Sequence, residues 1–183
     1  KLNKHKTNFI PIDSEHFSIW ELIKNEKSKN IEKIILTASG GPFLNKSLEK
    51  IRNIPPKYAL KHPNWKMGKK ISIDSSNMMN KVLELIEAKK IFNLNKKKLS
   101  IIIHPESYVH AIVFFKNDLT KFLAHETKMT IPISNALNAT NINSNINLKN
   151  NFKKLNKMKF LHPKVKQFPI ISLIKKIPDE ISY

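Results

Sequence analysis

Acidic side chains are scarce in this sequence, 14 Asp and Glu against 33 Lys and Arg, so three of them stand out. Asp13 and Glu15 lie two apart, where the short apolar run Phe9-Ile10-Pro11-Ile12 gives way to a helical pattern with Phe17, Trp20 and Ile23 on one face. Glu84 lies inside a longer helical pattern. An Asp-x-Glu pair at a strand end can turn both carboxylates toward one point. A third carboxylate from a helix then completes half an octahedron of hard oxygen donors, which suits Mg²⁺ or Mn²⁺. The alternative is that Asp13 only caps its helix and Glu84 faces water.

Ser75, Asn80, Lys81 and Glu84 form a second constellation. Positions 80 and 84 are one helical turn apart and share a face. With Asp74-Ser75-Ser76 read as the cap of a helix from about Asn77 to Phe92, Ser75 sits where free N–H groups and the helix dipole favour an anion. Asn80 and Lys81 can add a neutral donor and a cation to a phosphate or hydroxyl. A capped amphipathic helix with its polar side in water gives the same pattern.

Ser39-Gly40-Gly41 follows an apolar strand, and its glycines would let the backbone approach a ligand that Ser39 could bind. Any tight turn can use such a pair. The only other glycine is Gly68, so neither a P-loop nor a Gly-x-Gly-x-x-Gly fingerprint is present. The loop His62-Pro63-Asn64-Trp65-Lys66-Met67-Gly68 carries two large apolar residues among polar ones. They suit a lid that closes over a ligand, or local packing of Trp65 on the core. His104, His110 and His125 share no ligand spacing and read as structural or surface residues.

These groups need a scaffold. Ile31 to Leu36 reads as a buried strand, with short helices at Lys46 to Asn53 and Lys57 to Lys61. Ile71-Ser72-Ile73 alternates as a strand does. The helix over 77–92 has Met79, Val82, Leu83 and Ile86 as its apolar stripe. Leu99 to Ile103 is a strand, and Tyr108 to Phe115 with Leu119 to Ala124 flank a hairpin turn at Lys116-Asn117-Asp118. A helix near Ile133 to Ala139 ends the compact part. Asn-rich residues 141–151 and the prolines 163, 169 and 178 predict an extended linker arm. The expectation is an α/β domain over 1–139, a small mixed sheet flanked by helices, with the arm over 140–183.

Composition narrows the partners. The absence of cysteine excludes disulfides and thiolate metal sites. No apolar run approaches the roughly 20 residues of a membrane span. The net charge of +19 raises the possibility of a lysine-rich nucleic-acid-binding module. However, only Arg52 can offer the bidentate guanidinium that reads phosphates and bases. The lysine excess, with abundant Asn and Ile, reads instead as a solvated surface.

Three long segments, taken in order, carry a resemblance: Pro11-Ile12-Asp13-Ser14-Glu15-His16, Leu36-Thr37-Ala38-Ser39-Gly40-Gly41-Pro42-Phe43, and His62 through Ile71. Ile73-Asp74-Ser75-Ser76-Asn77-Met78-Met79-Asn80-Lys81 continues it through Glu84 and Glu87-Ala88. Ile103-His104-Pro105-Glu106-Ser107 and the stretch from Met129 to Pro132 extend it. Over about residues 9–138 the chain resembles the 1-deoxy-D-xylulose 5-phosphate reductoisomerase family, and Phe168-Pro169 is similar to the family's connection to its last domain. Val82 departs from the pattern, where the family usually has Gly, and residues 139–147 lack the usual Pro-Asn/Asp-Arg.

The resemblance implies an NADP-dependent oxidoreductase of isoprenoid precursor biosynthesis. Such an enzyme rearranges 1-deoxy-D-xylulose 5-phosphate, by retro-aldol cleavage and re-addition, and reduces the aldehyde to 2-C-methyl-D-erythritol 4-phosphate. It implies Asp13, Glu15 and Glu84 as ligands of the divalent metal, and Ser14 and Glu15 against the substrate's carbon chain. Ser39, Ser75, Asn80, Lys81 and His62 would bind phosphate and hydroxyls. Trp65 and Met67 would form the flap, and Gly68 would lie against NADPH. It further implies a phosphorylated sugar substrate, a homodimer, no specific nucleic acid, no membrane, and a bacterial-type cytoplasmic or plastid location. The family's amino-terminal NADPH-binding domain and carboxy-terminal helical domain have no counterpart here, so the chain is expected to be a catalytic fragment, inactive alone.

Overall fold

The computed structural model describes residues 9–137 and 148–179. Asp13 caps α1 (Ser14–Ile23), its side chain accepting from the backbone N–H groups of Glu15 and His16. The N-terminal apolar run before it forms no strand. The chain then enters β1 (Ile31–Ala38) and turns through Ser39-Gly40-Gly41 into α2 (Leu48–Arg52) and a 3-10 turn at Pro56–Leu60. Helices α3 (Lys69–Ser76) and α4 (Met79–Ile91) return it to β2 (Leu99–Ile103). The hairpin β3 (Val109–Phe115) and β4 (Thr120–Ala124) follows, then α5 (Thr130–Ala136) and α6 (Leu148–Leu155).

The sheet order is β2-β1-β3-β4, with β1 parallel to β2 and the other pairs antiparallel. The expected mixed α/β sheet is therefore present. Register puts Ile34 beside Leu99 and Val113, and Leu36 beside Ile101 and Ala111. With period-two alternation these residues share one face. Ile19 of α1 and Leu85 and Ala88 of α4 cover it to form the core. The opposite face carries half-buried Ile35 and Ile112 and exposed Phe114 and Phe122.

Two expectations from the sequence change. The alternating Ile71-Ser72-Ile73 lies within α3, not in a strand, and Asp74-Ser75-Ser76 forms that helix's last turn. The helix buries Ser72 and Ser76 and leaves Ile71 and Ile73 exposed, which inverts the usual pattern. The end of α3 packs its backbone on the Gly41 turn. A Cβ at Gly41 would come within 2.7 Å of the Ser75 carbonyl oxygen, and its φ of +67° is one that glycine tolerates. The chain reverses at Met78 in a left-handed conformation before α4 begins.

The arm also differs from the expected extended one. Residues 169–176 form a 3-10 helix, and Phe168 and Ile177 join the core. Lys89 and Lys96 donate to the carbonyls of Asp179 and Ile177, and Ile103 pairs with Leu161 in an isolated bridge. Residues 139–147, with their departure from the family pattern, and the 139/140 boundary lie outside the described residues. Among the described residues no helix is long and apolar enough to cross a membrane.

Candidate metal and phosphate site

The carboxyl end of β1 and the first turns of α1 and α4 enclose a cavity of about 360 Å³. Asp13 and Glu15 come from the start of α1 and Glu84 from the second turn of α4. One oxygen of each lies within 4.8 Å of the others. Oxygens around an octahedral Mg²⁺ at roughly 2.1 Å sit about 3–4 Å apart, so a small contraction gathers the three on one ion. The donors are all hard oxygens, and the set fits Mg²⁺ or Mn²⁺. Asp13 serves as a cap as well, because capping occupies Oδ1 alone.

Such a cluster concentrates negative charge where water is excluded, and the neighbouring groups respond. Lys81 Nζ donates to Glu15 Oε1 at 2.6 Å and Glu84 Oε2 at 2.5 Å. Burial opposes its charge, but the two carboxylates hold its pKa above the ordinary lysine value. Glu84 is buried next to Glu15, and both effects push its pKa well up against the pull of Lys81. Burial also raises Asp13, yet the hydrogen bond and charge of His16, with help from Lys81, bring it down to about 2. His16 is desolvated, but Asp13 outweighs that and raises it. Asn80 donates to Glu84 Oε1 and Ser14 donates to Glu15 Oε2.

The other wall is built for an anion or hydroxyl. His62 Nδ1 accepts the backbone N–H groups of Trp65 at 2.9 Å and Asn64 at 3.2 Å. It is therefore unprotonated, and Nε2–H donates to Ser39 Oγ at 2.9 Å. Burial and the charge of Lys81 lower the His62 pKa, in agreement. Ser39 Oγ also accepts from the Gly41 N–H at 3.1 Å. With its lone pairs taken, the Ser39 hydroxyl has its proton to offer the cavity.

The structure brings the candidate site residues to this cavity: Asp13, Ser14, Glu15, Ser39, His62, Trp65, Met67, Gly68, Ser75, Asn80, Lys81 and Glu84 line it, while of the two turn glycines Gly40 does and Gly41 does not. The position of Ser75 is a correction in detail. It belongs to the end of α3 and not to the amino end of α4, so its hydroxyl, not a helix dipole, is what it can contribute. Trp65 lines the cavity and also packs edge-on to His110, ring centroids 6.0 Å apart.

His110 is the group that sequence reasoning missed. It stacks on His125 at 3.8 Å between centroids. Its Nε2 faces the His125 carbonyl oxygen at 3.2 Å, while His125 Nδ1 faces the Glu126 carbonyl oxygen. Carbonyls only accept, so each imidazole bears a proton at that nitrogen. Burial brings His110 down to about 4, despite the opposing pull of Glu15, and lowers His125. Asn64 was missed too: its Nδ2 donates to the Pro105 carbonyl and Ser107 Oγ, both at 2.7 Å, tying the His62–Gly68 loop to the body. Neither residue has a spacing that announces it; the pairing of β3 with β4 and the loop after β2 place them.

Lys98 donates to the Ile31 carbonyl, Lys121 pairs with Glu26, and Lys154 with Glu126.

Residues 9–92 match the model of the 1-deoxy-D-xylulose 5-phosphate reductoisomerase C-terminal domain. The chain is 57% identical to the 1-deoxy-D-xylulose 5-phosphate reductoisomerase of Pelagibacter ubique (strain HTCC1062), over 99% of the chain and 47% of that protein. It is 49% identical to that of Wolbachia pipientis wMel, over 94% and 44%. Among solved structures, a DOX-P reductoisomerase in complex with NADPH, fosmidomycin and magnesium superposes with a TM-score of 0.83 at 38% identity, covering 95% of this chain and 45% of that one. The Zymomonas mobilis 1-deoxy-D-xylulose 5-phosphate reductoisomerase in complex with NADPH gives 0.81 at 34%, covering 96% and 45%. The chain spans a little under half the length of the relatives it matches.

Proposed function

Because the chain belongs to the 1-deoxy-D-xylulose 5-phosphate reductoisomerase family, we propose that it forms the metal- and substrate-binding part of an enzyme converting 1-deoxy-D-xylulose 5-phosphate to 2-C-methyl-D-erythritol 4-phosphate. The observation that carries this reading is the convergence of Asp13, Glu15 and Glu84 on one point of a cavity that also holds Ser39, Ser75, Asn80 and Lys81. In this reading the three acids hold Mg²⁺ or Mn²⁺, which when bound supplies Lewis-acid polarisation of a carbonyl. The chain's own residues do the rest. Ser39 donates its hydroxyl proton to the phosphate or a hydroxyl, fixed by His62 behind it. Ser75, Asn80 and Lys81 add donors and charge, and Ser14 and Glu15 face the carbon chain.

Trp65 and Met67 would cover the ligand and exclude water, and Gly68 would lie against the nicotinamide of NADPH. Binding the remote phosphate helps hold the reacting carbons in place. Residues 1–139 act as the catalytic domain and 140–183 as the connection toward a helical domain, while NADPH's main binding domain belongs to another part of the whole protein. The 183-residue chain alone therefore oxidises no NADPH. A bacterial-type cytoplasmic or plastid setting belongs to the same reading, in which nucleic acid has no specific role.

Titration calorimetry with Mn²⁺ tests the metal set. Asp13→Asn is expected to weaken binding about a hundredfold or more, beyond the 10–100-fold typical of outer-shell changes; unaltered affinity would remove the acids from the role. A homodimer completes the reading, and the sheet face bearing Phe114 and Phe122 suits a second copy because it would bury apolar area left exposed among the described residues. Sedimentation velocity should show a dimer that Phe122→Lys converts to monomer. A dimer indifferent to that change would rule out this face.

A further inference from the structure

Lys81 stands in an unusual position for a residue that binds substrate. Its ammonium is almost fully enclosed, 8% exposed, and it is committed to the carboxylates that the metal reading assigns to a divalent ion. Glu84 has both oxygens occupied, one by Asn80 and one by Lys81, and Glu15 is likewise shared between Ser14 and Lys81. An ammonium bridging Glu15 and Glu84 and a divalent cation drawing on the same two groups would be like charges a few ångströms apart in a dry site. Their repulsion there is many times that in water, and the two compete for the same carboxylate oxygens.

Lys81 can move. It sits in the first turn of α4, and its four-carbon stem carries the ammonium as a compact point charge with freely rotating donors. The same cavity presents Ser39, Ser75 and Asn80, whose donors suit an anion. Resting on the metal reading above, we infer that Lys81 is an exchangeable counter-ion. It holds Glu15 and Glu84 together when no metal is bound, and entry of the divalent ion turns it out toward the phosphate side. One charge thus serves two sites in turn. Metal binding creates the cation that an anion then meets, and the two ligands favour each other. Linkage makes that coupling reciprocal.

The test uses the purified chain, Mn²⁺ and inorganic phosphate in calorimetry, with Lys81→Met as a near-isosteric neutral variant. Because no cation must be expelled, Lys81→Met is expected to bind Mn²⁺ roughly tenfold more tightly, within the usual range of such couplings. Mn²⁺ should strengthen phosphate binding in the wild type and not in the variant. Equal or weaker Mn²⁺ binding by folded Lys81→Met, beside loss of binding in Asp13→Asn, would overturn the exchange while leaving the metal site standing. Retention of full Mn²⁺ affinity by Asp13→Asn would instead bring down both.

A measurement on the wild type guards against a variant that fails to fold. Reductive methylation read by peptide mass spectrometry should modify Lys81 slowly without metal and several-fold faster with Mg²⁺, as the ammonium leaves its enclosure. A rate unmoved by Mg²⁺ contradicts the exchange.

Discussion

Glu84 and Leu85 are consecutive on α4 and almost equally withdrawn from water, 4% and 0% exposed. About 100° of helical rotation separates them. Leu85 points into the cluster of Ile19, Ile34 and Leu36, and Glu84 into the cavity beside Asp13, Glu15 and Lys81. The core side is held by removal of apolar surface from water, which needs no partner of defined geometry. The cavity side buries charges whose desolvation is only offset by close pairing. Burial thus stabilises one side of the helix and loads the other with groups that would be more stable in water, a common arrangement where chemistry must be done.

Three experiments sharpen that contrast. The largest effect is expected from Leu85→Ala, which should cost about 2–5 kcal/mol in urea unfolding with Mn²⁺ affinity of the folded form unchanged; a loss under about 1 kcal/mol would mean α4 is not anchored as described.

Next comes acid. His110 is neutral when folded and falls to about 4 from an ordinary 6.5. The unfolded chain therefore binds more protons between those values, and stability must drop as pH falls through that window. A displacement of that size is worth roughly 3 kcal/mol at most. His125, depressed in the same sense, adds to it, while His16, raised by Asp13, works the other way. The difference between wild type and His110→Gln in stability against pH isolates the His110 part. Parallel curves would show that it is not neutral and buried.

The smallest change in stability is expected from Glu84→Gln, about 1 kcal/mol or less of either sign, since Lys81 keeps Glu15 as its partner. The same change should abolish Mn²⁺ binding. A cost as large as that of Leu85→Ala would mean that the cavity side is a stabilising ion-pair network after all.

The sequence was read most securely where one rule governs. The strands of the mixed sheet declare themselves by runs of β-branched residues, and Asp13-Ser14 announces the start of α1. Local patterns failed where packing overrode them. Ile71 and Ile73 suggested a strand, yet they lie on α3, which buries Ser72 and Ser76 and packs its end on the Gly41 turn. The stripe on α4 was read through Met79, Val82, Leu83 and Ile86, whereas Val82, Leu85 and Ala88 are the buried ones, because the helix is covered on two sides and periodicity assumes one. The prolines suggested a free arm, but Phe168 and Ile177 had a core to enter.

The residue types alone determined what chemistry was available: three scarce acids, no thiolates, one arginine, a few serines and a Trp-Met loop. Tertiary structure alone decided that Asp13 and Glu84, 71 positions apart in the chain, share one point and that Lys81 lies between them. It also brought His110, unremarkable on its strand, under Trp65. Spacing along a helix or strand fixes neighbours only within a turn or two. Long-range convergence depends on how β1 pairs with β3 and how α1 and α4 pack on that sheet, and no local pattern encodes it.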